Sequence, residues 1–211
     1  MTEDARPPRR NLKQVQILLW ALVALAIVGT AALFLFPQLK FSSSASVGAP
    51  ARPALGGPFT LVGSDGQPFS SGRLGGKPYA IYFGYTRCGD VCPITLGRLT
   101  KLREQAGGDD ALNIVFVTID PKNDGPKEVG QYAELFGAPI IGLTGSEQQI
   151  ERVKKQFGIY AAPEPMDSGH AMKMDHTATV LLFDHDGKLA GTIATDEPDS
   201  GALAKLKNLV A

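Results

Sequence analysis

Between Gln14 and Leu39 no charged residue occurs, and from Val15 to Phe36 the chain is almost wholly apolar. A helix of that length crosses the roughly 30 Å of hydrocarbon in a bilayer, so a transmembrane helix is predicted over residues 15–36. Arg6, Arg9, Arg10 and Lys13 precede it, whereas Lys40 and Arg52 are the only basic residues over a comparable distance after it. The positive-inside bias then leaves residues 1–14 in the cytoplasm and sends the rest of the chain to the other side. A cleaved signal peptide has a shorter apolar core, about 7–15 residues, and a small-residue cleavage site that this stretch does not offer, so the segment reads as an uncleaved anchor.

Ser, Ala, Gly and Pro dominate the residues that follow, without apolar periodicity. Residues 37–58 therefore read as a linker, and residues 59–211 as one folded domain. With 21 basic and 21 acidic residues the formal net charge is zero, and no Lys or Arg run occurs beyond the N-terminus. Such a surface does not suit a phosphate backbone, which excludes nucleic acid as a partner.

Within the domain, Phe59–Val62 and Gln67–Ser70 flank Gly63-Ser64-Asp65-Gly66 as a hairpin. Tyr79–Tyr85 and Leu112–Ile119 read as buried strands, and Ile140–Leu143 as a shorter one. Helical spacing predicts helices from about Pro93 to Ala106, Pro126 to Phe136, Glu147 to Phe157 and Asp199 to Leu209. Ala161–Asp175 is polar and reads as loop, while Thr177–Phe183 and Lys188–Ala194 form a second hairpin about Asp184–Gly187. Two βα units, an antiparallel pair and a last helix give an α/β mixed sheet flanked by helices, in the order of a thioredoxin-like domain.

The chemistry concentrates at Cys88 and Cys92, the only two cysteines, in Gly84-Tyr85-Thr86-Arg87-Cys88-Gly89-Asp90-Val91-Cys92-Pro93. A strand that feeds a turn and then a helix puts both sulfurs beside unpaired N–H groups and the positive end of the helix dipole, which favours thiolate. The i, i+4 spacing sends both to one side, where they can hold a soft cation between them or exchange with a disulfide. A purely structural disulfide across so short a loop would remove little chain entropy.

Two sulfurs hold Cu(I) incompletely, so a third donor is needed. His176, at the entry to a predicted strand, is the best placed of the three histidines; His185 falls in a hairpin turn and His170 in the polar loop. Met166, Met172 and Met174 surround these histidines as further soft donors or as ordinary packing residues.

At these residues the chain resembles the Sco/SenC family, thioredoxin-fold copper proteins tethered to the inner membrane that help assemble the copper centre of cytochrome c oxidase. The resemblance rests on Gly84-Tyr85-Thr86, Cys88, Asp90-Val91-Cys92-Pro93, Thr118-Ile119-Asp120-Pro121-Lys122 and Asp175-His176. It implies copper ligation by Cys88, Cys92 and His176, and a tuning or partner-contact role for Asp90. It further implies a periplasmic domain on a bacterial inner membrane, an oxidase subunit or another copper protein as acceptor, and a thiol reductant system. Gly89 departs from the family pattern, which has proline there; the change removes no donor atom. The same sulfurs would also serve a thiol–disulfide oxidoreductase that reduces the acceptor's copper-ligand cysteines. A thioredoxin-fold peroxidase fits less well, since Thr86 is present but the proline that normally precedes its reactive cysteine is absent.

Overall fold

The computed structural model describes residues 12–35, 55–163 and 174–211, with side chains described for 14–30, 55–161 and 177–211. Two compact units divide between Pro50 and Ala51. In the first, helix α1 (Leu12–Leu35) runs for 24 residues. Among the described residues no helix is long and apolar enough to cross a membrane, so the anchor over 15–36 stays an inference from the sequence.

The second unit is built on a seven-stranded mixed sheet. In chain order it comprises β1 (Thr60–Gly63), β2 (Pro68–Ser70), β3 (Tyr79–Gly84), α2 (Val91–Ala106), β4 (Asn113–Thr118), α3 (Pro126–Glu134), β5 (Ile141–Thr144) and α4 (Glu147–Phe157). It continues with β6 (Ala161–Pro163), β7 (Met174–His176), β8 (Val180–Phe183), β9 (Leu189–Ile193) and α5 (Asp199–Val210). The strand order is β2-β1-β5-β4-β3-β8-β9. β3, β4 and β5 are parallel neighbours joined by α2 and α3, whereas β1, β2, β8 and β9 pair antiparallel around them. All six residues of β3 are buried, as befits a central strand covered on both faces.

Alternation along β3 assigns the faces. Phe83 packs against Phe157 of α4 with ring centroids 5.6 Å apart, and Phe157 also meets Phe59 and Phe183. Tyr82 points the other way, beside its register neighbour Phe116, whose ring lies 5.1 Å from that of Tyr132 on α3. The Tyr82 hydroxyl reaches Cys92 on α2 at 3.5 Å, and α5 joins α2 through Arg98 and Asp199 at 2.6 Å. Helices α2, α3 and α5 therefore cover one face and α4 the other. Gly142 lets α3 approach the sheet, because a Cβ there would stand 2.6 Å from the Val129 carbonyl oxygen.

Two elements differ from the sequence expectation. The segment 161–175, read as loop, contributes a separate two-stranded ribbon in which Ala161 pairs with His176 and Pro163 with Met174. The Thr177 N–H continues that ribbon by donating to the Tyr160 carbonyl, so β8 joins the main sheet only at Val180. Helix α3 ends at Glu134 rather than Phe136. The amides of Leu135, Phe136 and Gly137 bond three residues back, tightening the chain into a turn that Gly137 completes at φ +62°.

Candidate metal centre

Gly84 ends β3 where space runs out. A Cβ on it would lie 2.9 Å from Cys92 Sγ, 3.0 Å from Tyr82 Cε1 and 3.2 Å from Phe116 Cε2. Gly84→Ala is expected to cost about 1–3 kcal/mol through overpacking and to push the sulfur aside; urea unfolding of the variant against wild type measures it.

The loop after Gly84 is held by a buried carboxylate from the next crossover. Asp124 is fully buried, accepting the Thr86 N–H at 2.9 Å, the Thr86 hydroxyl at 2.6 Å and the Thr118 hydroxyl at 2.7 Å. Its own carbonyl accepts the Thr144 hydroxyl at 2.6 Å. A second tie joins Arg87 to Asp120 at 2.5 Å, while Asn123 donates to the same carboxylate and the Asp120 N–H donates to Thr118. Asp120-Pro121 thus serves to bind two loops together. Three segments distant in sequence fix the approach to Cys88.

Cys92 is fully buried and Cys88 is 8 % exposed. Both are free thiols. Cys92 Sγ also accepts from the Tyr82 hydroxyl and the Tyr85 backbone. Cys88 Sγ accepts the Cys92 N–H at 3.5 Å, whereas Asp90, at the N-cap position of α2, makes no side-chain cap bond and is exposed. Pro93 sits in the first helical turn, where its missing N–H is no loss. Gly89 has open space around its Cα, so the departure from proline disturbs no packing.

Burial first, and then the neighbouring Cys88, push the Cys92 thiol up to about 12 against the pull of the Tyr82 and Tyr85 donors. Against the expectation that the helix start favours thiolate, burial holds Cys92 as the thiol. Burial, reinforced by Cys92, also raises the Tyr82 phenol. Tyr132 is raised by burial and then by Cys92, Cys88 and Asp124.

His176 is the last residue of β7, its backbone opposite Ala161; its side chain lies outside the described residues. So do His170, Met166 and Met172, and the side chain of Met174. Among the described residues no group of three His, Cys, Asp or Glu side chains converges on a metal position. His185 lies in the exposed β8–β9 turn, its Nδ1 2.9 Å from the Gly76 carbonyl oxygen.

Sequence reasoning missed Asp124, Tyr82 and Tyr132. Alternation from Phe83 would have turned Tyr82 toward the cysteine helix, and the helical spacing of Val129, Tyr132 and Phe136 would have put Tyr132 on the buried side of α3. Nothing local marks Asp124, whose partners come from other strands.

Comparisons with known proteins agree with this geometry. The SCO1/SenC family profile matches residues 47–211. An SCO2-like protein of Rickettsia conorii is 33 % identical over 189 residues, covering 86 % of this chain and 92 % of the relative. The mitochondrial SCO2 protein of Saccharomyces cerevisiae is 32 % identical over 160 residues, covering 74 % of this chain; the match spans only 53 % of the yeast protein. Among solved structures, Bradyrhizobium japonicum ScoI with copper bound superposes with a TM-score of 0.66 at 34 % identity, over 74 % of this chain and 99 % of that one. Yeast Sco1 with copper bound gives 0.65 at 30 % identity, over 75 % and 89 %. With a thioredoxin-like sheet, a cysteine pair at the start of α2 and a family match across most of its length, this chain belongs to the SCO1/SenC family.

Proposed function

We propose that the chain is a membrane-anchored copper chaperone that binds copper through Cys88, Cys92 and His176 and delivers it to, or prepares, the copper centre of cytochrome c oxidase. The observation that carries this reading is the adjacency of two free thiols at the start of α2, where the Cys92 N–H donates to Cys88 Sγ. Two relatives of this fold, ScoI and yeast Sco1, have copper bound. Two sulfurs and one imidazole suit copper, and three protein donors leave a position from which an acceptor's sulfur can take the ion by ligand exchange. Copper is the cargo here. The chain's own part is to present Cys88 near the surface, to hold Cys92 beneath it and to give up the thiol protons as the ion arrives.

The charge-free apolar run over residues 15–36 serves as the anchor in this reading. Residues 1–14 are cytoplasmic, 37–58 form a linker, and 59–211 stand in the periplasm of a bacterial inner membrane. Thiols outside the cytoplasm drift toward disulfide, so a reductant system must keep the pair ready.

The adjacency of the two thiols also favours a second reading, a thiol–disulfide oxidoreductase acting on the acceptor's cysteines. The attacking sulfur would then be Cys88, since Cys92 is fully buried and its thiol is held well above the usual range. His176→Ala separates the two. For a carrier, Cu(I) affinity should fall about tenfold or more, roughly 1.4 kcal/mol or above, in competition with a chromophoric chelator, while disulfide reduction continues. Unchanged copper affinity would remove His176 from the site and leave the reductase as the better reading.

A further inference from the structure

His176 closes the ribbon strand β7 opposite Ala161, and one pair further on the Thr177 N–H donates to the Tyr160 carbonyl at 3.0 Å. Bonded and unbonded pairs alternate along an antiparallel ladder, so the Ala161–His176 pair is an unbonded one and the place of His176 is set by its neighbours. The Tyr160 N–H, which would ordinarily take the Thr177 carbonyl, donates at 3.2 Å to the Thr177 hydroxyl instead. The side chain stands in for the main chain, which turns out of the ribbon there and reaches the main sheet at Val180. The turn is pinned on its far side as well. The Ala178 carbonyl accepts the Thr195 hydroxyl at 3.2 Å, and Ala178 and Thr195 line one small cavity with Thr95, three residues after Cys92 on α2. Arg98 of the same helix donates to the Ala194 carbonyl at 3.4 Å. The strap from His176 to Val180 is therefore mounted on the helix that carries Cys92.

We infer that Thr177 is a positioning residue for the metal site, its hydroxyl locking the turn after His176 so that this backbone keeps a fixed place relative to the cysteine helix; this rests on the copper-carrier reading. A donor supplied from a distant strap binds best when it is held in place before the ion arrives, because freedom left in the empty site is lost on loading. Without the hydroxyl the Tyr160 amide would turn to water, and the strap would be held by one bond fewer on the ribbon side. The Tyr160–Thr177 bond is exposed, so water competes for both groups and the bond adds little to stability. Its contribution is to geometry. Thr177 acts on the ion only through the residue before it.

The test is Thr177→Val in the full-length protein in detergent, which keeps the β-branched shape and deletes the acceptor, with Thr177→Ser, which retains the hydroxyl, as its control. Cu(I) affinity, read by competition with a chromophoric chelator, should fall about tenfold in Thr177→Val, the lower end of what loss of a group that orients a metal ligand costs, and recover in Thr177→Ser. In the His176→Ala background the same substitution should cost nothing further, since a residue acting only through His176 has nothing left to place. The Tyr160 amide of metal-free Thr177→Val should exchange with solvent faster than that of wild type, at an unchanged urea midpoint. Wild-type affinity in Thr177→Val overturns the inference alone, and so does an equal loss with and without His176, which assigns the hydroxyl to the fold. If His176→Ala binds copper as wild type does, or wild type takes up none, the ligand set of the carrier reading fails and this inference with it.

Discussion

Cys88→Ser and Cys92→Ser should each lower Cu(I) affinity on the order of a thousandfold, about 4 kcal/mol, while the domain stays folded. Serine is close to cysteine in size, and at position 92 its hydroxyl can still receive the Tyr82 donor that now reaches the sulfur at 3.5 Å. The oxygen does not replace the soft donor, so binding suffers and packing does not. Chelator competition with the reduced full-length protein gives the affinity, and circular dichroism with urea unfolding checks the fold. Binding retained in either variant would place the metal elsewhere. The two effects should not add, because one sulfur without the other is no longer a bidentate clamp.

Asp124→Ala should be the most destabilising single change near the site. It strands the Thr86 N–H and the hydroxyls of Thr86 and Thr118 around a fully buried gap. Unsatisfied buried donors and a cavity together predict a loss of about 3–5 kcal/mol. For a domain of this size that is a fall in Tm on the order of 10 °C. Asp124→Asn keeps the volume but turns an NH2 group toward donors, so it should still lose about 2 kcal/mol. Thermal melts of both variants beside Thr118→Val, which removes one of the three donors, rank the contributions. A Thr118→Val melt as low as that of Asp124→Ala would show that the hydroxyl, not the carboxylate, organises the loop. Because Thr86 lies two residues before Cys88, a loosened loop should also weaken copper binding.

How much of this was legible beforehand depended on how local each cause is. β3 and the Ile114–Val117 stretch of β4 are apolar runs, and Gly63–Gly66 announces the first hairpin, so the central sheet could be read directly from the sequence. The cysteine pair could be read as well, since strand, turn and Pro93 together define a helix start. The ribbon of β6 and β7 could not, because Ala161-Ala162-Pro163 carries no β-branched or aromatic residue and owes its extended form to its pairing with 174–176. Asp124 was invisible for a related reason: Thr86, Thr118 and Thr144 converge on it only after β3, β4 and β5 align. The elevated Cys92 thiol followed from depth, which spacing along a helix does not report. A dipole argument alone therefore pointed the wrong way.

At the start of α2 the Asp90 side chain leaves the first turn uncapped, and Cys88 Sγ takes the Cys92 amide in its place. Sulfur chemistry and backbone order are thereby wired together. Oxidation, alkylation or coordination of Cys88 alters the acceptor on which that amide rests, so solvent exchange of a single backbone proton becomes a gauge of what the thiol is doing.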